Sequence, residues 1–375
     1  MHLFVDISSH GLGHLAITAP VLDALALRAP QMRLTIRSGL RTEALRARIA
    51  APFEHIHAAS DFGYLMHDAT RIDLRASAQA YRAAHARWQE RVEEEASFLA
   101  GLSPGLVLSN VSCLPLAGAA RAGLRAAALC SLNWADLFAH FFDERDWAVP
   151  IHAAMLEAYR SAALFLRPLP AMPMPALSNT VPVAPIALKG VRSALRLQPG
   201  QRSVLIAMGG IAHRIHVERW PRVPGVRWLV PPEWGCTHPE ALPWDGFGLS
   251  FTDLLASVDV VITKPGYGTF TEAACNGTPV LYVRREDWPE QECLIEWLHA
   301  HGRCREVDAA ALEAGRIVGA IDALLALPPH PMPEPVGAAE AACRLLALVR
   351  PGQARSDQAR SDQAHQGQAQ SASPI

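Results

Sequence analysis

Two histidines, His10 and His14, bracket a glycine loop near the start of the chain, Ser8-Ser9-His10-Gly11-Leu12-Gly13-His14. An imidazole titrates near neutral pH and can take up or release a proton, so either ring is a candidate general base. The plainer use of either is a structural bond to backbone. Far downstream stands Lys264-Pro265-Gly266-Tyr267-Gly268-Thr269, with Glu272 three residues on. Gly266 and Gly268 can take backbone angles closed to other residues and let a ligand approach the main chain. A glycine turn between a strand and a helix N-terminus suits a phosphate, because unpaired N–H groups and the helix dipole both face it. Glu272 has two readings. Thr269-x-x-Glu272 has the spacing of a capping box; the alternative is a carboxylate that accepts hydrogen bonds from ribose hydroxyls beside a diphosphate. Arg284 and Arg285 follow; one of them could neutralise diphosphate charge, and the plainer reading is a pair of solvated surface arginines.

These residues need elements to hold them. Leu3–Ile7 reads as a strand feeding the first glycine loop, and Leu15–Leu27 has helical apolar spacing. Arg33–Arg37, Phe53–His57, Leu106–Asn110, Arg125–Cys130 and Leu164–Arg167 read as further strands. Asp73–Ala100, free of Gly and Pro, predicts one long helix; Ala117–Ala122 and Ile151–Ala163 predict two more. Strand–helix alternation of this kind implies a parallel sheet. The proline-rich run Pro168–Pro175 cannot hold a regular helix or central strand and is taken as the start of the crossing to a second domain. A second alternation begins at Val204, with strands ending at Gly209-Gly210 and in VRWLVPP. The helix FTDLLASVD, the strand at Val258–Ile262, the short helix Thr269–Cys275 and the strand Val280–Val283 follow. Helices are expected over Leu294–Ala300, Ala309–Leu327 and Ala338–Val349. The expected organisation is therefore α/β, with two Rossmann-like domains at 1–178 and 179–350, and a disordered tail at 351–375, where QARSD occurs twice and apolar residues nearly vanish.

The chain has 375 residues, half of them hydrophobic, which is enough for two domains. Its formal charge of −2 gives no sign of a nucleic-acid surface. Seven cysteines without paired spacing fit reduced thiols, and a cytoplasmic location is expected. No apolar run reaches the length of a membrane span. The first segment lacks the basic region of a signal peptide and reads as a strand. The Cys and His residues show no metal-ligand spacing, so no metal is expected.

Gly11-x-Gly13-x-x-Ala16 also matches the dinucleotide fingerprint, which wants an acid at the end of the second strand. That strand ends in Arg37-Ser38-Gly39. Arg37 could serve a 2′-phosphate, so an NADP-dependent oxidoreductase stays open as a minor alternative.

The stretch KPGYGTFTEAACNGTPV, with the later Glu290-Gln291, resembles the donor-binding signature of GT-B glycosyltransferases that use UDP-sugars. Through KPGYGT and YVRRED the resemblance extends to the glycosyltransferase-like N-terminal region of plant arabinokinases. It implies that Gly266, Tyr267, Gly268 and Thr269 face the diphosphate, that Glu272 faces the ribose, and that Glu290 and Gln291 face the donor sugar. It also implies that Gly209 and Gly210 face the diphosphate across the cleft. Lys264 stands where many plant members have His, and a Lys there can still pair with phosphate. In the first half HGLGH resembles the acceptor-side loop of the same fold, where inverting members use the His as general base; His14 is the first candidate and His10 the second. The comparable orienting position, an Asp in that family, is Asn110 here. An Asn holds one imidazole tautomer but lends no charge to imidazolium, and Asp61 and Asp136 are secondary candidates for that carboxylate.

The resemblance thus implies glycosyl transfer from a nucleotide-diphosphate sugar, UDP-linked, to a small-molecule or lipid acceptor, with no tightly bound cofactor. The competing class is a non-catalytic sugar-nucleotide sensor or the partner of another enzyme. A lipid acceptor would bring with it a peripheral membrane contact.

Overall fold

The structure is a computed structural model that describes residues 1–349; the expected disordered tail lies outside the described residues. Apolar runs buried on both faces form two all-parallel sheets, as strands covered by helices on both sides must. The first sheet contains β1 (His2–Ile7), β2 (Arg33–Ser38), β3 (Glu54–His57), β4 (Leu106–Asn110), β5 (Ala126–Leu129), β6 (Phe165–Pro168) and β7 (Thr180–Val183). The second contains β8 (Arg202–Ile206), β9 (Val226–Val230), β10 (Ala241–Pro243), β11 (Val260–Thr263), β12 (Val280–Tyr282) and β13 (Cys304–Glu306).

Strand order decides where a ligand can sit. The first sheet runs β3-β2-β1-β4-β5-β6-β7 and the second β10-β9-β8-β11-β12-β13. Each order reverses direction once, between β1 and β4 and between β8 and β11. A crevice opens at the carboxyl ends of strands at such a switch point. Ile7 pairs with Asn110 at the first switch, and Ile206 with Ile262 at the second. HGLGH and Asn110 leave the first; Gly209-Gly210 and Lys264 leave the second.

Several expectations need correcting. Thr180–Val183 pairs with β6, so the first sheet extends past residue 178 and the proline-rich run is a loop within the first half. Arg167 donates to the Met172 and Pro173 carbonyls, tying that loop to β6. The single long helix is two, Leu74–Ala86 and Trp88–Leu102, broken at Arg87, whose φ of −118° and ψ of 34° are not helical. Trp88 stacks on His85 across the break at 4.8 Å. Helix Ala309–Leu327 is likewise two short pieces, separated at Gly315, whose φ is 67°. Helix Gly337–Val349 buries Ala341, Ala342 and Leu345. It returns to the first half, where the backbone N–H of Ala184 donates to Glu340.

Candidate functional site

His14 is the second residue of helix Gly13–Arg28 and is buried. Its Nδ1 lies 2.9 Å from Asn110 Oδ1. Asn110 Nδ2 donates to Thr18 Oγ1 at 2.8 Å and to the His14 carbonyl at 3.3 Å. A carbonyl can only accept, so the amide NH2 must face it and the amide oxygen must face the ring. His14 therefore carries its proton on Nδ1, and Nε2 keeps a lone pair. Burial pushes the His14 titration down to about 4, with the Asn110 bond pulling weakly the other way. The ring is a neutral base at physiological pH.

Neither secondary carboxylate reaches it. Asp61 accepts from Ser8 Oγ at 2.9 Å and Trp134 Nε1 at 2.7 Å. Asp136 lies in the first turn of helix Trp134–Phe142 and accepts from Asn133 Nδ2 at 2.9 Å. His10 lies parallel to Trp288 at 5.7 Å, and its Nε2 is buried without a partner. Burial, then the nearby His14, Arg285 and Lys264, hold its pKa well below the ordinary value. Gly11 approaches Ile211 of the second half, and Gly13 opens the His14 helix.

Across from these residues, Lys264 rises from the end of β11 between two glycine turns. A Cβ at Gly266 would lie 3.3 Å from its Nζ, and one at Gly209 3.8 Å. Gly209 takes a φ of +91° that favours glycine. Gly210 lets Leu12 close in, since a Cβ there would meet Leu12 at 2.6 Å. Burial first, and then Arg285, lower the Lys264 pKa to about 7, against an upward pull from Glu290.

Helix Tyr267–Asn276 begins beside this ammonium, capped at Gly266, so the capping box does not form: Thr269 is inside the helix. The Tyr267 ring faces away from the turn. Its hydroxyl accepts from Ile186 N at 2.9 Å and donates to the Leu169 carbonyl at 3.2 Å, leaving its backbone N–H at the helix start. Gly268 packs against Ala16 of the first half.

Glu272 is 1% exposed. One oxygen takes Arg48 Nη2 at 2.8 Å, and the other is buried without a partner. Glu290 accepts from Ser131 Oγ at 2.6 Å, across the two halves, and from Trp288 Nε1 at 3.2 Å. Gln291 does not present its side chain to the cleft; it accepts from Arg285 N at 3.0 Å and donates to the Arg285 carbonyl at 3.2 Å. Arg284 also departs from expectation, because it turns outward to pair with Glu292 and Glu306. Arg285 is the inward cation. Its guanidinium lies 3.6 Å from the Trp288 ring centroid, and Nε and Nη2 are buried without partners. Burial lowers its pKa to about 9.

Arg37 pairs with Asp6 at 2.6 Å and Glu95 at 2.7 Å, so no free guanidinium remains there for a 2′-phosphate. Among the described residues no three His, Cys, Asp or Glu side chains gather as a metal set. Sequence reasoning missed Arg48, Ser131 and Trp288. Only Trp288, two residues before Glu290, carried a local signal.

No family model matches the chain. It is 25% identical over 305 residues to L-arabinokinase of Arabidopsis thaliana, covering 78% of this chain but only 29% of that protein. Among solved structures, the glycosyltransferase of kitacinnamycin superposes with a TM-score of 0.59 at 14% identity, covering 93% of this chain and 94% of that one. The spinosyn rhamnosyltransferase SpnG, complexed with thymidine diphosphate, superposes with a TM-score of 0.52 at 17% identity, over 93% and 96% of the two chains. The chain, with its two parallel α/β sheets, therefore has the GT-B fold of those glycosyltransferases.

Proposed function

We propose that the chain transfers a sugar from a nucleotide diphosphate, UDP first among the candidates, to the hydroxyl of a small-molecule or lipid acceptor. The first half holds the acceptor and the second the donor. The observation that carries this reading is the pairing of two features at facing switch points. One is a neutral His14 with Nε2 free. The other is a Lys264 ammonium set between Gly209 and Gly266 at the start of a helix. In this reading His14 Nε2 takes the acceptor proton as the new C–O bond forms at the anomeric carbon and the bond to the diphosphate breaks. Lys264, the unpaired N–H groups of Arg285 and the helix start, with Thr269 beside it, receive the departing charge. Glu272 accepts from the ribose and Glu290 from the sugar, and Gln291 acts indirectly by holding the Arg285 backbone.

A thermal-shift series tests this with UDP, thymidine diphosphate, their sugars and NADP, because a ligand that binds only the native state raises its apparent stability. UDP or a UDP-sugar should stabilise the protein, and Glu272→Ala should weaken the effect. Stabilisation by NADP alone would end the reading. Asn110, where a carboxylate would stabilise imidazolium, favours a second reading: a sugar-nucleotide sensor. Tight UDP-sugar binding without turnover of any acceptor would establish it.

A further inference from the structure

The Glu272 carboxyl is buried and only half used, and an ionised carboxylate there needs a counter-charge. Hydroxyl groups of a ribose can donate to it but carry no charge, so they cannot compensate for its removal from water. One cation faces it, and that cation comes from the other half of the molecule. Arg48 follows the short helix Thr42–Arg46 of the first half. Its Nη2 reaches Glu272 Oε1 at 2.8 Å, its Nη1 reaches Thr252 Oγ1 at 2.7 Å, and its guanidinium lies 6.0 Å from the Phe251 ring centroid. The loop that carries Arg48 is fixed: Asp23 of helix Gly13–Arg28 accepts from the backbone of Ala50 and Ala51 at 3.0 and 2.9 Å. That same helix packs Ala16 against Gly268, four residues before Glu272.

We propose that Arg48 is the positioning residue for nucleotide recognition. It holds one oxygen of Glu272 in place and leaves Oε2 for the ribose hydroxyls, so only the closed molecule, with both halves engaged, presents a complete nucleoside site. This rests on the reading of Glu272 as the ribose contact. Arg48 engages Oε1 alone, and Oε2 has no hydrogen-bond partner in the protein. Other charges near Glu272 are engaged elsewhere. Asp253 on the adjacent helix accepts from Val191 N and Ser250 Oγ, and Lys189 and Glu334, which face Cys275 one turn on, pair with each other at 2.9 Å. Cys275, on Glu272's own helix, has its thiol pushed up to about 12, chiefly by burial, and stays neutral. Burial alone raises the Glu272 pKa, and Arg48 opposes that rise. Without Arg48 the carboxyl would take up a proton more readily and lose acceptor strength, and the loss would reverse as pH rises.

The test is calorimetric titration of the full chain with UDP and with thymidine diphosphate between about pH 5.5 and 8.5, spanning the range in which a buried carboxyl titrates. Arg48→Met should weaken binding roughly ten- to a hundredfold near neutral pH, the scale of an unmet buried bond, and regain affinity toward alkaline pH. Arg48→Lys should restore most of the affinity and flatten the profile, and it keeps the test intact should Arg48→Met fail to fold. In a Glu272→Gln background Arg48→Met should change nothing further. Glu272→Gln weak but Arg48→Met as tight as the intact protein at every pH, or tighter, would overturn the proposal. Glu272→Gln binding at full affinity would overturn the ribose reading itself, and the role of Arg48 with it.

Discussion

Asn110→Asp is the most informative single change. In the intact protein a neutral amide oxygen lies 2.9 Å from His14 Nδ1, and the ring titrates at about 4. A carboxylate in that place adds a full negative charge against the imidazolium. A charge in direct contact raises proton affinity by roughly ten- to a thousandfold, about 1.4–4 kcal/mol. The gain is offset by lost donors. Asn110 gives hydrogen bonds to Thr18 and to the His14 carbonyl, and a carboxylate gives none. Thr18 can turn its hydroxyl to the new oxygen only by leaving the His14 carbonyl, to which it donates at 2.8 Å. The variant should therefore be less stable at neutral pH by about 1–3 kcal/mol.

The acid side moves the other way. Folded His14 resists a proton that the unfolded chain accepts at its ordinary value of 6.5, so stability falls as pH drops from there to about 4. That loss approaches about 3 kcal/mol in the intact protein and should largely vanish in the variant. Nitrogen NMR of histidine-labelled protein, with His14→Gln to assign the signal, reads both the titration and the tautomer. An unchanged His14 titration in the variant, or a proton on Nε2 in the intact protein, would refute the reasoning.

Other outcomes follow from the same geometry. Lys264 titrates at about 7, and a bound diphosphate should raise that value, so nucleotide binding near pH 8 should take up a proton; calorimetry in buffers of different ionisation enthalpy would reveal it, and Lys264→Met should abolish the uptake. Arg285→Met should weaken nucleotide binding while leaving the free protein as stable or more so, since it removes an unpaired buried cation, whereas Arg284→Ala should leave binding intact and change stability by no more than about 0.5 kcal/mol in denaturant titrations. Gly268→Ala should cost about 1–3 kcal/mol, because its Cβ would stand 2.8 Å from that of Ala16, and an unfolding midpoint equal to the parent's would show that the halves part easily there.

How much of this was readable beforehand depended on range in the chain. The strands announced themselves as apolar runs, and the two glycine turns as breaks between a strand and a helix. His14 and Asn110 were paired only through the resemblance, and the structure supplies the bond between them. The capping box failed because Gly266, not Thr269, stands at the cap of the helix. Two adjacent arginines could not be told apart by type: Arg285 turns inward under Trp288, while Arg284 finds Glu292 and Glu306 outside. Gln291 was expected at the sugar only through the resemblance, and its amide is spent on the neighbouring main chain. Arg48 left no local trace at all, since its partner lies 224 residues away.

The return of helix Gly337–Val349 to helix Gly13–Arg28 changes what kind of joint connects the halves. The second sheet is an insert with two covalent attachments, one after β7 and one before that helix. Two attachment points define a line, so opening is a rotation about a hinge axis and not the swing of a body on one tether. The arrangement also sets an order of assembly during synthesis. The part of helix Gly13–Arg28 on which helix Gly337–Val349 packs stays uncovered until residues beyond the entire second sheet have been made. The first half is begun first and completed last.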